Sequence, residues 1–321
     1  MISGKNIKAV ALLSGGLDSI LAAKLIVDQK IDVIALTFST PFCSNKGNLT
    51  AKAGADQLGI PLHIIKQKED YLRMVRNPKY GYGSALNPCI DCRIFMLKKA
   101  KVFMEENKAH FIFSGEVLGQ RPMSQHRHSQ ELVARDSGLN DLLLRPLSAR
   151  LLDITKPERE GWVDREKLLS ISGRSRKEQL SLAKKYKITA YTAPAGGCLL
   201  TEKKYAERLK DLWSYKKKIT LQEVSLLKLG RYFVFKKARI IVGRNQEENK
   251  ELLNLKLPND YFFTCSDFPS PITLLIGDKT KKNIQEAARL TVRYSDATNG
   301  KKIIVEYGDK DLDKKIEVEI E

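Results

Sequence analysis

Short apolar runs alternate with helical patterns over the first two-thirds of the chain. The runs at 9–13, 32–39, 61–66 and 111–116 are mostly apolar, and they have the length and content of buried parallel strands. Between them, 20–27, 49–58 and 94–106 carry apolar residues at helical spacing, and 144–147 supplies a short fifth strand. Strands alternating with helices predict an α/β fold, in which a parallel sheet carries helices on both faces.

The pattern changes in the last third of the chain. Residues 153–190 are charged and helical, and the helix predicted over 203–218 has basic ends. Strands at 232–235, 239–242, 261–264 and 272–276, with a helix over 281–295, predict a second, smaller α/β domain. We therefore predict a domain over 1–202, a helical connector over 203–227 and a second domain over 228–321.

One hydrophilic stretch interrupts the first strand–helix pair. Ser14, Gly15 and Gly16 follow the strand, and Asp18 and Ser19 stand in the first turn of the helix. Two glycines allow a sharp turn and a close approach to an anion, while the start of a helix presents unpaired N–H groups. Asp18 either caps the helix or binds a metal ion that bridges phosphates. The stretch predicts a phosphate cradle, and it lacks the lysine of the common nucleotide-triphosphate loop.

The hexapeptide SGGLDS resembles the PP-loop of the ATP pyrophosphatases, which split ATP into AMP and pyrophosphate and adenylate a carbonyl oxygen. The resemblance implies that ATP and Mg²⁺ bind here. It also implies adenine contacts from Thr37 and Phe38 at the end of the second strand, with Gly115 and Gln120 lining the same crevice.

Three cysteines form a second candidate site. Cys89 and Cys92 begin a helix, where the positive end of the helix dipole is expected to favour thiolates. Cys198 follows the glycine-rich turn at 193–197, which is expected to bring its sulfur to the other two. Three thiolates fit a cluster with one open iron, a catalytic zinc or a redox pair. Cys43 and Cys265 look isolated.

Taken together, SGGLDS, the CxxC before a helix, SGEVLGQ, LRPL and the later cysteine resemble the tRNA thiouridine synthetases, and most closely the catalytic domain of the 4-thiouridine synthetases. The resemblance covers about residues 8–201, and no part of this sequence resembles the rhodanese domain of some members. It implies a catalytic Asp18 and ATP-dependent thiolation of a tRNA uridine, most closely to 4-thiouridine. A [4Fe-4S] cluster on Cys89, Cys92 and Cys198 would present the sulfur.

Two features of the sulfur chemistry stay open at the sequence level. If the cysteines hold no cluster, Cys198 would carry a persulfide that Cys89 or Cys92 resolves. The sulfur donor is either sulfide or a sulfur-carrier protein charged by a cysteine desulfurase. The same chemistry also yields 2-thiouridine or 2-thiocytidine.

The charge of the chain points to a nucleic acid partner. The 56 Lys and Arg residues exceed the 38 Asp and Glu residues, giving a formal charge of +18, and tRNA is the predicted polyanion. Residues 238–251 resemble the opening of the NFACT RNA-binding domain. Five basic side chains are the predicted RNA contacts: Arg145, Arg244, Lys250, Arg289 and Arg293.

Apolar runs long enough for a membrane span or a signal peptide are missing from the sequence, so a cytoplasmic location is expected. Oligomeric state is not predicted. Two other functions compete with thiolation: a PP-loop ligase that adenylates a small carboxylate, and a non-enzymatic RNA- or ribosome-binding factor with a structural zinc site. The excess of basic residues argues against the first, and the complete phosphate loop argues against the second.

Overall fold

The structure is a computed structural model that describes residues 6–43, 46–192, 197–297 and 302–319. The chain divides into two compact units, residues 1–206 and residues 207–321. Among the described residues, no helix is both long enough and apolar enough to cross a membrane.

The amino-terminal unit is built around five parallel strands. In chain order its elements are β1 (Lys8–Leu12), α1 (Leu17–Val27), β2 (Asp32–Ser39), α2 (Lys46–Leu58), β3 (Leu62–Lys66), α3 (Glu69–Arg76), α4 (Cys89–Glu106), β4 (Phe111–Ser114), α5 (Arg127–Asp136), β5 (Leu143–Leu144), α6 (Lys156–Arg159) and α7 (Lys177–Lys185). The strand order is β3-β2-β1-β4-β5. The chain moves outward from β1 in both directions, so a crevice opens where the order reverses, between the carboxyl ends of β1 and β4.

Two apolar layers cover this sheet. One packs α1 against β1 and β4 through Leu21, Ile26 and Phe113, and the other packs α4 against the opposite face through Leu97 and Ile112. Every residue of β4 is buried, as expected for a strand that is covered on both faces. The predicted α/β fold with a parallel sheet is therefore confirmed for this unit.

The carboxyl-terminal unit has an antiparallel sheet of six strands. Helix α8 (Lys203–Tyr215) contains the division between the units, and it is followed by α9 (Leu221–Leu226), β6 (Arg231–Phe235), β7 (Ala238–Val242), α10 (Gln246–Leu255), β8 (Tyr261–Cys265), β9 (Thr273–Gly277), α11 (Lys281–Arg293), β10 (Lys302–Gly308) and β11 (Lys314–Glu319). The strand order is β11-β10-β8-β9-β7-β6. Helix α11 covers one face through Ala287, Ala288 and Leu290, and the predicted second domain is thus an antiparallel sheet with helices.

Candidate functional site

The phosphate loop is ordered by its two serines. Ser19 Oγ accepts a hydrogen bond from the Ser14 N–H at 3.2 Å and donates one to the Gly16 carbonyl at 2.8 Å. Gly16 is the N-cap of α1, and no side chain caps that end of the helix. The first N–H groups of a helix have no partner within the helix itself, so the loop leaves donors available for an anion.

Two glycines hold the loop against its neighbours. Gly15 has a φ of +77°, and a Cβ atom there would lie 2.4 Å from Thr50 Oγ1 and 2.7 Å from the Ala51 nitrogen. A Cβ atom on Gly115 would lie 2.4 Å from the Ser19 nitrogen. Gly115, which follows β4, therefore lets that strand end touch the first turn of α1.

Asp18 is the titratable group at the centre of this loop. Burial raises the pKa of its carboxyl above the ordinary value, although Arg176, a hydrogen bond from Gln120, and Arg121 all act in the opposite direction. Its Oδ1 atom is buried and makes no hydrogen bond to any residue that the structure describes. An unpartnered carboxylate oxygen beside unpaired N–H groups fits a site in which a divalent cation accompanies phosphate groups.

The remaining predicted ATP residues lie at or just after the carboxyl ends of strands. Thr37 and Phe38 stand near the end of β2, where they pair with Ile64 and Ile65 of β3, and Thr37 is buried whereas Phe38 is half-buried. Gln120 lies in the loop after β4 and reaches Asp18 with its side chain. These positions surround the crevice, and the assignment of adenine contacts to Thr37 and Phe38 stays a prediction.

Arg176 and Gln179 are site residues that the sequence motifs do not reveal. Arg176 is the N-cap of α7, a helix that packs on α1, and its charge acts on Asp18. Gln179 is fully buried next to Asp18, and its side chain acts to lower the pKa of that carboxyl. In the sequence, these two residues belong to no motif, and they are recognisable only as members of a predicted charged helix.

Arg145, one of the predicted RNA contacts, is buried inside the amino-terminal unit. Its side chain is 8% exposed, its Nε is 3.0 Å from Glu116 Oε2, and it also donates to the Gln130 carbonyl. Arg93 pairs with the other carboxylate oxygen at 2.9 Å. A buried carboxylate needs such partners. Burial raises the pKa of Glu116, but the two guanidinium groups lower it by more, so its pKa lies below the ordinary value. The prediction of an RNA contact from Arg145 is therefore wrong.

The CxxC pair lies in the first turn of α4, as predicted. Pro88 is the N-cap, and Asp91, which stands between the two cysteines, accepts hydrogen bonds from the Lys79 and Tyr80 N–H groups at 2.8 and 3.0 Å. Asp91 thus anchors the loop that precedes the helix. Cys92 Sγ lies 3.1 Å from the Tyr71 hydroxyl, which is itself buried.

The pKa values of these thiols are raised, whereas the sequence predicts that the helix dipole lowers those of the CxxC pair. Burial raises the pKa of Cys92 to about 11 and that of Cys198 to about 12, and burial also raises the pKa of Cys89. Loss of hydration penalises the charged thiolate more than the nearby Arg93 favours it. Burial therefore opposes the predicted thiolate character of the CxxC pair.

Cys43 is a fourth member of the cysteine site, and the expectation that it is isolated is wrong. It forms an antiparallel β-bridge with Cys198, and a negative charge on Cys43, Cys92 or Cys89 raises the pKa of Cys198. Cys43 comes shortly after β2, so the rule that parallel strands end at one edge of the sheet could have placed it here. Cys265 is buried in the core of the carboxyl-terminal unit. The turn predicted before Cys198 falls on 193–196, outside the described residues.

A protein metal site needs several ligating side chains that converge on one point. Among the described side chains, no group of three or more His, Cys, Asp or Glu residues is arranged to hold a metal ion, and all four of these cysteines are described. The described side chains therefore do not support the cluster on Cys89, Cys92 and Cys198, which stays a prediction.

Arg121 connects the two parts of the site. Its positive charge acts both on the Asp18 carboxyl, where phosphate would bind, and on the Cys89 thiol. The phosphate loop and the cysteines consequently belong to one region of the amino-terminal unit.

The predicted RNA residues of the other unit are exposed. Arg244 pairs with Glu248, and Arg289 pairs with Glu286 at 2.7 Å. Lys250 and Arg293 are exposed on α10 and α11, and the Arg293 guanidinium lies 6.0 Å from the Tyr294 ring centre. Their contacts with RNA stay predictions.

Two family models match parts of the chain. Residues 7–116 match the tRNA methyl transferase HUP domain, and residues 230–321 match the NFACT protein RNA binding domain. The first match contains the phosphate loop and the CxxC pair, and the second covers the antiparallel sheet.

Curated relatives resemble the amino-terminal unit. A tRNA-specific 2-thiouridylase of Pelobacter propionicus is 32% identical over 96 residues, which cover 28% of this chain and 27% of that protein. A probable tRNA sulfurtransferase of Ureaplasma urealyticum is 34% identical over 149 residues, covering 45% of this chain and 37% of the relative. The matched segment thus spans well under half of each relative.

A solved structure described as a 4-thiouridine synthetase–RNA complex with bound ATP has a TM-score of 0.40 and 18% identity, and the match covers 69% of this chain and 52% of the other. In sequence, residues 7–116 are therefore similar to a HUP domain, the amino-terminal unit has thiouridylase and sulfurtransferase relatives, and residues 230–321 are similar to an NFACT-type RNA-binding domain.

Proposed function

We propose that this protein is an ATP-dependent tRNA thiolating enzyme that adenylates a uridine carbonyl oxygen and replaces it with sulfur. The observation that carries the proposal is that one unit contains both the phosphate loop, with its unpartnered Asp18 Oδ1, and the cysteine site, where Cys43 faces Cys198. Activation by ATP and delivery of sulfur need to occur at one carbon atom, and this unit brings the groups for both into one region.

The phosphate loop has the chemistry for the activation step. The N–H groups at the start of α1 would bind the departing pyrophosphate, and Arg121 and Arg176 add positive charge. Asp18, through its unpartnered Oδ1, would hold Mg²⁺, which neutralises phosphate charge when bound. The uridine oxygen attacks the α-phosphorus, pyrophosphate leaves, and the base becomes O-adenylated.

For the sulfur step, the described arrangement supports a persulfide on Cys198 better than an iron cluster. Cys198 lies with three other cysteines, whereas the described side chains form no metal-holding group. The terminal persulfide sulfur attacks the adenylated carbon, and AMP leaves. The cluster expected from the sequence makes a separate prediction, namely iron and labile sulfide in protein purified without oxygen.

Product and RNA recognition are the finer parts of the proposal. The motif order of the amino-terminal unit favours 4-thiouridine, with 2-thiouridine as the alternative that shares the same chemistry. The carboxyl-terminal unit would bind tRNA through exposed basic side chains such as Lys250 and Arg293. Because the target base must reach a crevice, it would leave its stack.

The test is anaerobic incubation with unmodified tRNA, ATP, Mg²⁺ and either sulfide or a persulfide donor, followed by mass spectrometry of nucleosides. A thiouridine that appears only with ATP supports the proposal. Tight tRNA binding without any thionucleoside or pyrophosphate would favour the non-enzymatic RNA-binding function. Pyrophosphate release triggered by small carboxylates, and not by tRNA, would favour the ligase.

A further inference from the structure

The backbone around Cys43 and Cys198 places these two residues directly opposite each other. They form an antiparallel bridge in which the Leu199 N–H donates to the Phe42 carbonyl at 2.9 Å. This hydrogen bond flanks the cysteine pair and does not join its two members, which is the pattern of a non-hydrogen-bonded pair. The Cα atoms of such pairs are about 4.5 Å apart.

That spacing suits a disulfide. Disulfides need Cα atoms roughly 4.4–6.8 Å apart, and the side chains of a non-hydrogen-bonded pair lie on the same side of the ladder. Phe42 is 1% exposed, so its packing against the rings of Tyr71 and Tyr205 fixes the backbone beside Cys43. The juxtaposition is therefore built into the fold.

The two thiols differ in access in a way that suits a transfer pair. Cys43 is exposed, whereas Cys198 is half-buried and belongs to the site beside Cys89 and Cys92. Cys92, one of the two other candidate partners, has its Sγ 3.1 Å from the Tyr71 hydroxyl. An attacking thiolate needs access to the sulfur that it attacks, and Cys43 has both exposure and the facing position.

We propose that Cys43 is the resolving cysteine for sulfur carried by Cys198, so that each thiolation ends with a Cys43–Cys198 disulfide. This inference rests on the proposed thiolation function. It assigns to Cys43 the role that the sequence assigned to Cys89 or Cys92.

The step balances in atoms and electrons. The terminal sulfur of the Cys198 persulfide forms a bond to the adenylated carbon as the bond from that carbon to the AMP oxygen breaks. The Cys43 thiolate, whose proton has gone to solvent, then attacks Cys198 Sγ. The bond between Cys198 Sγ and the transferred sulfur breaks, and its electron pair stays with the base as thiocarbonyl sulfur. The transferred sulfur gains two electrons while two thiols become one disulfide, which a dithiol reductant reopens.

Trypsin cleavage separates the cysteines into distinct peptides, which makes the linkage measurable. Cys43 lies in 31–46, Cys89 and Cys92 lie together in 80–93, and Cys198 lies in 188–203. The experiment charges the full chain with polysulfide, removes the excess, and adds tRNA, ATP and Mg²⁺ without a reductant for a single turnover. The sample is then quenched in acid with a thiol-blocking maleimide and mapped without reduction.

The proposal predicts a link between peptides 31–46 and 188–203, in an amount equal to the thionucleoside formed. In Cys43→Ser, AMP is still released, but free thionucleoside falls by at least about tenfold because tRNA remains bound to Cys198 through a disulfide. This adduct migrates as a protein–RNA band on a denaturing gel and disappears with dithiothreitol. Cys265→Ala, which removes a cysteine of the other unit, should behave as the wild type.

Three results would overturn the inference. A link between 188–203 and 80–93 with normal release by Cys43→Ser would return the resolving role to the CxxC pair and leave the proposed function standing. Iron bound through Cys198 in active protein would replace the persulfide route. Absence of thionucleoside from the charged wild type would overturn the proposed function, and this role would fall with it.

Discussion

At the residue scale, Asp18 has two properties that a purely structural carboxylate lacks. One of its oxygens is buried without a hydrogen bond among the described residues, and burial holds its pKa above the ordinary value despite two nearby guanidinium groups. A buried carboxylate oxygen without a hydrogen bond lowers the stability of the folded protein unless a bound ligand supplies the missing partner. We therefore regard Asp18 as a group whose partner is a cation bound together with ATP.

Replacement of Asp18 by asparagine keeps the shape of the side chain and removes its charge. Pyrophosphate release with tRNA should fall by about 100-fold or more, because charge stabilisation in such sites is worth several kcal/mol. The matched control is Asp56→Asn, which removes an exposed carboxylate paired with Lys52. If Asp18→Asn retained activity close to that of the control, Asp18 would not be part of the activation step.

The reactivity of the thiols tests the cysteine environment directly. With the pKa of Cys92 raised to about 11 and that of Cys198 to about 12, little thiolate exists near pH 8 in the protein without RNA. Alkylation of both should therefore rise about tenfold per pH unit through the alkaline range, since the thiolate is the reacting form. Exposed Cys43 should react faster than either at pH 8, as measured on the three tryptic peptides. Equal rates for Cys43 and Cys198 at pH 8 would contradict the described burial.

Individual residues also show which features of the site could be predicted from the sequence and which could not. The phosphate loop and the CxxC pair are local motifs, and both lie where their patterns predict. The partner of Arg145, the fourth cysteine and the direction of the thiol pKa shifts depend on burial and on contacts between distant segments. A single sequence without its fold contains no direct measure of either.

At the element scale, the end of β4 is fixed by contact with the start of α1. In Gly115→Ala the new methyl group would lie 2.4 Å from the Ser19 nitrogen, so the loop must move. We expect a loss of ATP affinity of at least about tenfold by calorimetry, because binding depends on the placement of loop N–H groups. Gly47→Ala is the control, because its Cβ would meet only the Ser14 oxygen at 3.8 Å. Equal affinity for ATP in the two variants would show that the contact does not position the loop.

The Glu116 pair ties β4 to α4 and to the segment after β5. Glu116→Gln leaves buried Arg145 without its counter-charge, and we expect a destabilisation of about 3–5 kcal/mol in urea unfolding. The exposed-pair variant Asp56→Asn should change stability by less than about 1 kcal/mol. A similarly small change in Glu116→Gln would contradict the described network.

The ion pairs of Glu116 also predict how the stability of the protein depends on pH. Because the pKa of Glu116 is lowered below its ordinary value of 4.5, its contribution to stability is complete above about that pH. The contribution is lost as the pH falls through the lowered value and the carboxylate takes up a proton. Urea unfolding should therefore show a smaller loss of stability below pH 4.5 for Glu116→Gln than for the wild type. Parallel curves for the two proteins would contradict the assignment.

Elements differ in how well the sequence predicts them. The strands of the parallel sheet are nearly continuous apolar runs because both faces are buried, so periodicity finds them. Helix α5 buries only Gln130, Val133 and Ala134, and strand β11 has only two apolar residues, Ile316 and Val318, so both give weak signals. Their formation depends on packing against α4 and pairing with β10.

At the scale of the whole molecule, the chain joins a unit with a phosphate loop to a unit with an RNA-binding family match. The formal charge of +18 predicts tRNA affinity that falls steeply with salt. The double change Lys250→Glu and Arg293→Glu should weaken tRNA binding and lower the slope of log affinity against log salt by about two. Lys52→Glu, in the other unit, is a control that reverses one charge away from the predicted RNA contacts. An unchanged slope in the double variant would place the RNA contacts elsewhere on the chain.

The central claim is that the uridine oxygen itself attacks ATP. It is tested most directly with tRNA that carries ¹⁸O at the target carbonyl, in a thiolation reaction analysed by mass spectrometry of the AMP formed. The account predicts one ¹⁸O atom in the AMP phosphate for each thiouridine produced, and at least about 100-fold less labelled AMP with Asp18→Asn. Thiouridine formed together with unlabelled AMP would show that the carbonyl oxygen is not adenylated, and the account would be wrong.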